Sequence, residues 1–216
     1  MPVLIKDQRA VLFIHIPKTG GSSVVADLAD YGWRELFSIR GVSSDDLSFT
    51  KASPQHFHAD LLASIFNFSE FESVFAVTRH PFNRVKSEYY WHFRDSQTKP
   101  DPKTWLEDCF AKARRNPYLN DNHIRPQVEF IPKDADVSIF KLEEDGIRKA
   151  QIEIFGYEDR PKPKSLKERL RPSKPKREKA SKYDENVENA FAAQRALIND
   201  FYAADFEQFG YDPDGS

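Results

Sequence analysis

Short apolar runs alternate with amphipathic segments along the first 156 residues of the chain. The runs 10–16 and 73–78 are almost continuously apolar, as expected for strands that are buried on both faces of a parallel sheet, and the less apolar segment 136–142 is predicted to be a third strand. Between and after them, apolar positions recur every three or four residues, which is the period of a helix that buries one face. This spacing predicts helices at 22–32, 59–66, 81–94, 102–115 and 143–155.

The order of strands and helices predicts an α/β fold, with a central parallel sheet flanked by helices and right-handed crossovers. A further strand is expected at 33–39, and helical spacing near the end of the chain predicts a helix at about 184–209. The chain contains no internal repeat. A length of 216 residues is typical of one domain, so we predict a single domain over 1–216.

Composition excludes several classes of protein. The single cysteine, Cys109, rules out a disulfide framework and a Cys-rich zinc site within one chain. No apolar run approaches the roughly 20 residues of a membrane-spanning helix. The first predicted strand begins within about ten residues of Met1, which leaves no room for a signal peptide. The expectation is therefore a cytoplasmic protein without a membrane span.

The formal net charge of −2 hides a strong asymmetry. Residues 160–182 form a basic, proline-rich loop with a net charge of +9, and residues 183–216 carry a net charge of −7. The basic loop is either a solvated surface segment or a flap that contacts an anionic ligand. No aromatic residue interrupts its basic residues, whereas proteins that bind single strands stack bases on aromatic rings, so nucleic acid is not expected as a partner.

The segment HIPKTGGSS at 15–23 has the composition of a phosphate-binding loop. A buried strand runs into a tight loop that opens a helix, so backbone N–H groups converge where an anion is stabilised. Lys18 precedes the glycines, whereas the nucleotide triphosphatase motif places Lys after them. The alternative is a glycine-rich turn without chemistry. The residues expected to bind phosphate are Lys18, Thr19, Gly20, Gly21, Ser22 and Ser23.

A second phosphate site is predicted in VTRHPFNRVKSEYYW at 77–91. Arg79 follows an apolar strand, at the sheet edge where ligands of open α/β sheets bind, and Ser87 lies on the following helix. An arginine and a serine can hold one phosphate by charge and by hydroxyl. The strand end has no acidic residue that would bind magnesium, which favours a site without a metal. Arg84 either faces the same region or forms a surface ion pair.

Together these two segments resemble the PAPS-dependent sulfotransferases of the carbohydrate type, which include the heparan sulfate 2-O- and chondroitin sulfotransferases. The resemblance rests on PKTGGSS and RHPFNRVKS, and it extends more weakly to DFYAADFEQFGYD near the end of the chain. It implies a fold related to the P-loop NTPases and transfer of a sulfuryl group from PAPS to an acceptor. It also implies that Lys18 stabilises charge on the oxygen that leaves the sulfur.

A hydroxyl acceptor requires a base, and SPQHFHADL supplies two histidines. The resemblance favours His56 as the base with His58 as an accessory, and the pKa of a free imidazole suits proton abstraction at neutral pH. His58 as the base, or two structural loop histidines, are the alternatives. His15 alternates with apolar residues and is expected in the core.

The resemblance extends to acceptor and nucleotide contacts elsewhere. Similar segments in relatives make His123, Arg125 and Gln127 candidates for binding the acceptor, although packing of a long loop is an equal alternative. Ser173 and Lys174 of the basic loop are candidates for nucleotide binding. No carboxylate or cysteine stands at a familiar ligand spacing from the histidines, so no metal is expected.

Three functions remain open on the sequence. The leading one is a sulfotransferase that uses PAPS and acts on a hydroxylated small molecule or a carbohydrate. The second is a nucleotide-dependent kinase or NTPase that uses the same loop. The third is a non-catalytic protein that binds nucleotide or RNA through the basic loop.

Overall fold

The computed structural model describes residues 2–39, 47, 49–158 and 185–215. The basic loop, with Ser173 and Lys174, lies outside the described residues. The strands of the described part are β1 (Val3–Lys6), β2 (Arg9–Ile14), β3 (Arg34–Leu36), β4 (Ser73–Thr78) and β5 (Val137–Lys141). Its α-helices are α1 (Gly21–Asp30), α2 (Ala59–Ile65), α3 (Pro81–His92), α4 (Pro102–Arg115), α5 (Gly146–Glu153), α6 (Glu185–Ala192), α7 (Arg195–Phe201) and α8 (Ala203–Phe209).

The strands form one mixed sheet in the order β3–β1–β2–β4–β5. The three predicted segments became β2, β4 and β5, which pair in parallel, so the α/β fold with a flanked central sheet is confirmed. The sequence did not predict β1, which pairs antiparallel with both β2 and β3. A two-residue turn joins β1 to β2, and both Asp7 and Gln8 adopt positive φ. Such turns usually contain glycine, so this hairpin lacked its usual signal.

The two faces of the sheet bury alternate residues of the same strands. Phe13 of β2 and Phe75 of β4 pack against α1 and α5, whereas Ile14 and Ala76 pack on the opposite face with Leu62 of α2. A period of two is expected for strands that are covered on both faces.

A group of helices beside the sheet forms a separate apolar cluster built from α3, α4 and the C-terminal helices. The single helix expected at about 184–209 is instead the three short helices α6, α7 and α8, which are separated near Gln194 and Tyr202. Each break redirects the chain, so that Phe191, Ile198 and Phe206 all reach the cluster. A straight helix could not wrap the cluster in this way. In the part of the chain that the structure describes, no helix is both long and apolar enough to cross a membrane.

The register of the parallel strands determines where the site forms. Ile14 of β2 pairs with Ala76 of β4, and Thr78 at the end of β4 pairs with Lys141 of β5. The loops that follow these strands therefore leave the sheet along one edge. In open α/β sheets, ligands bind at this carboxyl edge.

Candidate active site

A cavity of about 640 Å³ opens at the carboxyl edge of the sheet. It brings together residues of both predicted phosphate segments, one predicted catalytic histidine and residues from the loop that follows α4. The lining residues that the arguments below use are His15, Lys18, Gly20, Gly21, Ser22, Ser23, His56, Arg79, Ser87, Trp91, Asp121 and His123.

The loop between β2 and α1 is held in a shape that few residue types allow. Gly20 adopts a φ of 89°, a left-handed conformation that suits glycine. A Cβ atom on Gly21 would lie 2.1 Å from the ring of His15, so only glycine fits between that ring and the helix. His15 therefore lines the cavity beside the loop. The sequence had predicted that this residue lies in the core. Thr19 is fully buried and does not line the cavity, because its hydroxyl donates to the Ile16 carbonyl at 2.9 Å.

Lys18 is the cation of this loop, and its side chain lies beside an aromatic ring. Its backbone has a φ of 69°, which costs a residue other than glycine on the order of 1–3 kcal/mol. Its ammonium lies 4.9 Å from the ring centroid of Trp91, the residue one helical turn after Ser87 on α3. Trp91 is 43% exposed and lines the cavity, and the sequence analysis did not single it out. Its helical spacing from Ser87 was the available signal.

Gln127 holds Arg79 in place instead of lining the cavity. The Gln127 side chain accepts from the Arg79 backbone N–H at 2.9 Å and donates to the Arg79 carbonyl at 2.8 Å. Asp205 of α8 accepts from the Gln127 backbone N–H at 2.9 Å, and both Gln127 and Asp205 are fully buried. The Arg79 guanidinium donates to the Lys18 carbonyl at 3.2 Å, which joins the two phosphate segments. The expected acceptor contact of Gln127 is therefore replaced by a role in positioning Arg79.

Ser87 and Arg84 occupy the same helix but have different environments. Ser87 lines the cavity together with Arg79, as the sequence predicted. Arg84 is buried, which excludes a surface ion pair. Its guanidinium donates to the carbonyls of Pro17 and His123, each at 3.0 Å. Arg84 thus holds the phosphate-binding loop against the segment that carries His123.

His56 faces the cavity as part of a carboxylate–imidazole pair. Its Nδ1 lies 2.7 Å from Oδ2 of Asp121, and the Ser53 hydroxyl donates to the same oxygen at 2.5 Å. The Asn122 side chain donates to the His56 carbonyl at 2.8 Å. With Nδ1 engaged by the carboxylate, Nε2 is the nitrogen that is left to act on a ligand. Asp121 was missed by the sequence analysis, whose first candidate acceptor residue in this segment was His123.

The electrostatics of this pair favour a neutral imidazole that can accept a proton. Burial lowers the pKa of His56 to about 4, against the opposing effect of the hydrogen bond with Asp121. Burial alone would raise the pKa of the Asp121 carboxyl, but the hydrogen bonds from His56 and Ser53 outweigh it and leave that pKa lowered. Asp121 is therefore charged at neutral pH, and it can stabilise the imidazolium that forms when His56 takes up a proton.

The backbone around Asp121, which places its carboxylate beside His56, has a strained conformation. Asn120, Asp121 and Asn122 adopt φ values of 50°, 56° and 65°, which makes three consecutive residues in the left-handed region. Asn and Asp tolerate this region better than other residues with a side chain. Backbone strain of this kind clusters at functional sites, where surrounding contacts compensate for it.

His58 and Arg125 lie away from the cavity. His58 is buried, its ring packs edge-on against Tyr118, and burial followed by the charge of Arg125 lowers its pKa. The Arg125 side chain donates to Asn122 at 3.0 Å and forms an ion pair with Glu129. Neither residue lines the cavity, so neither the accessory role of His58 nor the acceptor contact of Arg125 enters the function proposed below.

His123 faces the cavity with a second carboxylate behind it. Its Nδ1 lies 2.7 Å from Oε2 of Glu88 on α3, and its ring lies 4.9 Å from the His56 ring and 5.0 Å from the Trp91 ring, measured between centroids. His56, Asp121 and His123 offer ligand atoms within 4.8 Å of one another, a spacing that a metal ion could use. In the structure, Nδ1 of each of these two histidines is hydrogen-bonded to a carboxylate. The expectation that no metal binds here stays a prediction.

Comparison with known proteins identifies a family for this chain. Searches of curated proteins and of solved structures return no match. The chain matches the model of the sulfotransferase family over residues 1–212, which includes both phosphate segments and the residues of the cavity. Because the match spans nearly the whole chain, the protein belongs to the sulfotransferase family.

Proposed function

We propose that the protein transfers the sulfuryl group of PAPS to a hydroxyl of a carbohydrate or a similar acceptor, without a metal and with His56 as the base. The observation that carries this proposal is the composition of the cavity. Within 640 Å³, two groups suited to binding phosphate lie beside a neutral, carboxylate-oriented imidazole. A sulfotransferase requires both of these features, because it must bind the phosphates of its donor and take a proton from its acceptor.

The donor would be held at two points. The N-terminus of α1 and the loop residues Gly20 and Ser22 supply N–H and hydroxyl donors for the 5′-phosphosulfate. Arg79 and Ser87 line the same cavity and would hold the 3′-phosphate. Gln127 fixes the Arg79 backbone through two hydrogen bonds, so this arginine is positioned before any ligand arrives.

In the proposed transfer, His56 acts on the acceptor and Lys18 acts on the leaving oxygen of the donor. His56 Nε2 takes the proton of the acceptor hydroxyl as the acceptor oxygen forms its bond to sulfur. The bond between sulfur and the 5′-phosphate oxygen breaks, and that oxygen keeps the electron pair. Lys18 places its positive charge beside this oxygen, where negative charge develops. The products are a sulfate ester, the 3′,5′-bisphosphate nucleotide and a protonated His56.

The acceptor side of the cavity supports a ring-bearing substrate. Trp91 lines the cavity beside His123 and is 43% exposed, so its indole can make an apolar contact with a sugar or another ring. Because Lys18 and Arg94 lie over the ring of Trp91, at 4.9 and 4.4 Å from its centroid, this contact would be made by the exposed edge of the indole.

Kinase chemistry has less support from the lining of the cavity. A nucleotide-dependent kinase holds magnesium with acidic residues near the phosphates. Among the described residues that line the cavity, the one carboxylate belongs to Asp121, and its Oδ2 is engaged by His56 and Ser53. The role of this carboxylate is therefore better explained by orienting a base.

Replacing Arg79 by alanine is expected to remove selectivity for the 3′-phosphate. The wild-type protein should bind 3′-phosphoadenosine 5′-phosphate (PAP) more tightly than 5′-AMP by roughly tenfold to a hundredfold, because a charge-assisted hydrogen bond contributes about 1.5–3 kcal/mol. In Arg79→Ala, the two affinities should become similar. Isothermal titration calorimetry with both nucleotides measures the ratio directly.

Arg9→Ala is the matched control, since Arg9 pairs with Glu72 on the surface and is not among the residues that line the cavity. It should keep the wild-type ratio of affinities. A wild-type protein that binds both nucleotides equally, or an Arg79→Ala variant that keeps its preference for PAP, would contradict the assignment of the 3′-phosphate.

A further inference from the structure

The end of the strand that leads to Arg79 is held by residues near the C-terminus of the chain. Thr78 is the last residue of β4 and His80 directly precedes α3, so these two residues flank Arg79. The Arg79 backbone is fixed by Gln127, which Asp205 of α8 holds in turn. Residues that follow α8 contact the two flanking residues, and the proposed transfer assigns no role to them.

Tyr211 contacts the first flanking residue. Its phenol oxygen lies 2.9 Å from the hydroxyl oxygen of Thr78, and both side chains are buried. The same phenol donates to Oε2 of Glu143 in a longer hydrogen bond of 3.4 Å, and Oε1 of Glu143 accepts from the His80 backbone N–H at 2.9 Å. The Tyr211 hydroxyl therefore lies in a chain of hydrogen bonds that joins the residue before Arg79 to the residue after it.

Asp212 contacts the second flanking residue. The His80 ring donates from Nε2 to the Asp212 carbonyl at 2.9 Å. This ring is buried and packs edge-on against the rings of Phe206 and Tyr211, at centroid distances of 5.4 and 5.5 Å. The residues after α8 thus pack directly against the turn between β4 and α3.

The segment that carries Tyr211 is itself fixed on both sides. Lys141 of β5 donates to the carbonyl of Gly210 at 3.1 Å. Arg195 of α7 donates to the carbonyls of Pro213 and Gly215 at 3.0 and 2.7 Å. A side chain on a segment held in this way can hold another residue in place.

We infer that Tyr211 is a positioning residue for the 3′-phosphate, because it fixes, through the two residues that flank Arg79, the backbone from which this guanidinium reaches the nucleotide. The C-terminal segment 205–212 thereby contributes to selectivity for a 3′-phosphorylated nucleotide. The inference rests on the proposed function, which assigns the 3′-phosphate to Arg79. A donor that is held in place before the ligand arrives loses less conformational freedom on binding and therefore binds more tightly. Tyr211 acts only through other residues, and it is not among the described residues that line the cavity.

Calorimetry with PAP and 5′-AMP tests the inference, because the ratio of the two affinities isolates the contribution of the 3′-phosphate. Tyr211→Phe keeps the ring in its apolar cluster and removes only the hydroxyl. The ratio should then fall by roughly threefold to tenfold. Thr78→Val removes the other hydroxyl of the same hydrogen bond and should lower the ratio by a similar factor. Because both substitutions break one interaction, the double variant should lose little more than either single variant.

Tyr157→Phe is the matched control. The Tyr157 hydroxyl accepts from the indole N–H of Trp33 at 2.9 Å, and neither residue is among the described residues that line the cavity. This variant removes the same chemical group from another hydrogen bond between distant segments, and it should keep the wild-type ratio. An equal fall of the ratio in Tyr157→Phe would assign the effect to general stability and would overturn the inference.

Kinetics with PAPS separate positioning from a merely structural role. In Tyr211→Phe, KM for PAPS should rise while kcat stays near the wild-type value, since Lys18 and His56 keep their places. A merely structural role would lower the fraction of folded enzyme, and hence the apparent kcat, at an unchanged KM. Wild-type affinity ratios in both Tyr211→Phe and Thr78→Val would overturn the inference, and Thr78→Val decides alone if Tyr211→Phe fails to fold.

The proposed function and this inference fail in different ways. A wild-type protein that binds PAP no better than 5′-AMP would contradict the proposed function, and this inference with it. A wild-type preference for PAP that survives in both variants would remove this inference alone.

Discussion

Replacing His56 by alanine is expected to lower kcat for sulfuryl transfer by roughly 10²- to 10⁴-fold, the usual contribution of a positioned general base. The affinity for PAP should change little, because the groups proposed to bind the phosphates are other residues of the cavity. Steady-state kinetics with PAPS, combined with calorimetry using PAP, separates these two effects. The His56 side chain is held by Asp121, and its replacement by alanine removes no core packing, so the variant should fold.

His58→Gln provides the comparison that tests the assignment. His58 is buried against Tyr118 and is not among the residues that line the cavity, so its replacement should affect folding stability more than kcat. A folded His58→Gln protein that has lost transfer, together with an active His56→Ala protein, would show that the base is the second histidine of the pair.

The pH profile of kcat/KM follows from the state of the same base. The pKa of His56 is lowered to about 4 in the free protein, mainly by burial, so the imidazole stays neutral and able to accept a proton well below pH 6.5. Protonation of His56 should therefore reduce kcat/KM only as the pH falls toward about 4. An acidic limb near pH 6.5, where an exposed imidazole titrates, would contradict the buried, carboxylate-held base.

Replacing Lys18 by alanine is expected to lower kcat by roughly 10²- to 10³-fold, comparable to the loss of one preorganised group that stabilises developing charge. The ammonium should act most strongly on the oxygen that leaves sulfur, since charge grows there only during transfer. PAP binding should weaken less than kcat falls. Rapid-quench or steady-state kinetics with PAPS, beside calorimetry with PAP, measures this difference.

The backbone at Lys18 makes this substitution interpretable. Its φ of 69° strains any residue with a Cβ, and alanine retains the Cβ, so the strain of the loop should be almost unchanged. Lys112→Ala, which removes an exposed ammonium paired with Asp108 on α4, is the matched control and should keep wild-type kinetics. A Lys18→Ala protein that transfers at the wild-type rate would refute the role of this cation.

The local sequence pattern predicted most strands and helices well and the long-range contacts poorly. The strands β2 and β4 were predicted because burial on both faces demands continuous apolar residues, whereas β5, at the edge of the sheet, was predicted from a less apolar segment and exposes Ser138 and Ile139. The strand β1 was missed because the turn at Asp7 and Gln8 lacks glycine, so the usual hairpin signal was absent. The C-terminal helices share one apolar period, and sequence alone does not show where a shared core will break a helix.

In the candidate site, too, residues in local motifs were predicted and roles that depend on distant residues were not. Lys18, Arg79, Ser87 and His56 were predicted because each follows a strand or stands in a motif, and the structure brings them to one cavity. The side chain of Gln127 turned inward to hold Arg79 instead, a role that depends on a partner 48 residues away in the chain. Its environment could not be inferred from neighbouring residues.

The carboxylates behind the histidines were missed for a related reason. Asp121 reaches His56 through three consecutive left-handed residues, a local conformation that the sequence NDN allows without requiring. Glu88 is separated from His123 by 35 residues, so no local pattern in the sequence pairs the two. Pairs of this kind become visible only when the fold has placed two segments side by side.

The central claim is that the cavity binds a 3′,5′-bisphosphate nucleotide without a divalent ion, and a thermal-shift comparison tests it most directly. PAP in EDTA at a hundredfold excess over its Kd should stabilise the protein by about 2.7 kcal/mol. For a protein of this size, that corresponds to a rise in Tm of roughly 5–10 °C. ATP with magnesium at the same concentration should give a smaller shift. A larger shift with ATP and magnesium, or none with PAP, would contradict the account.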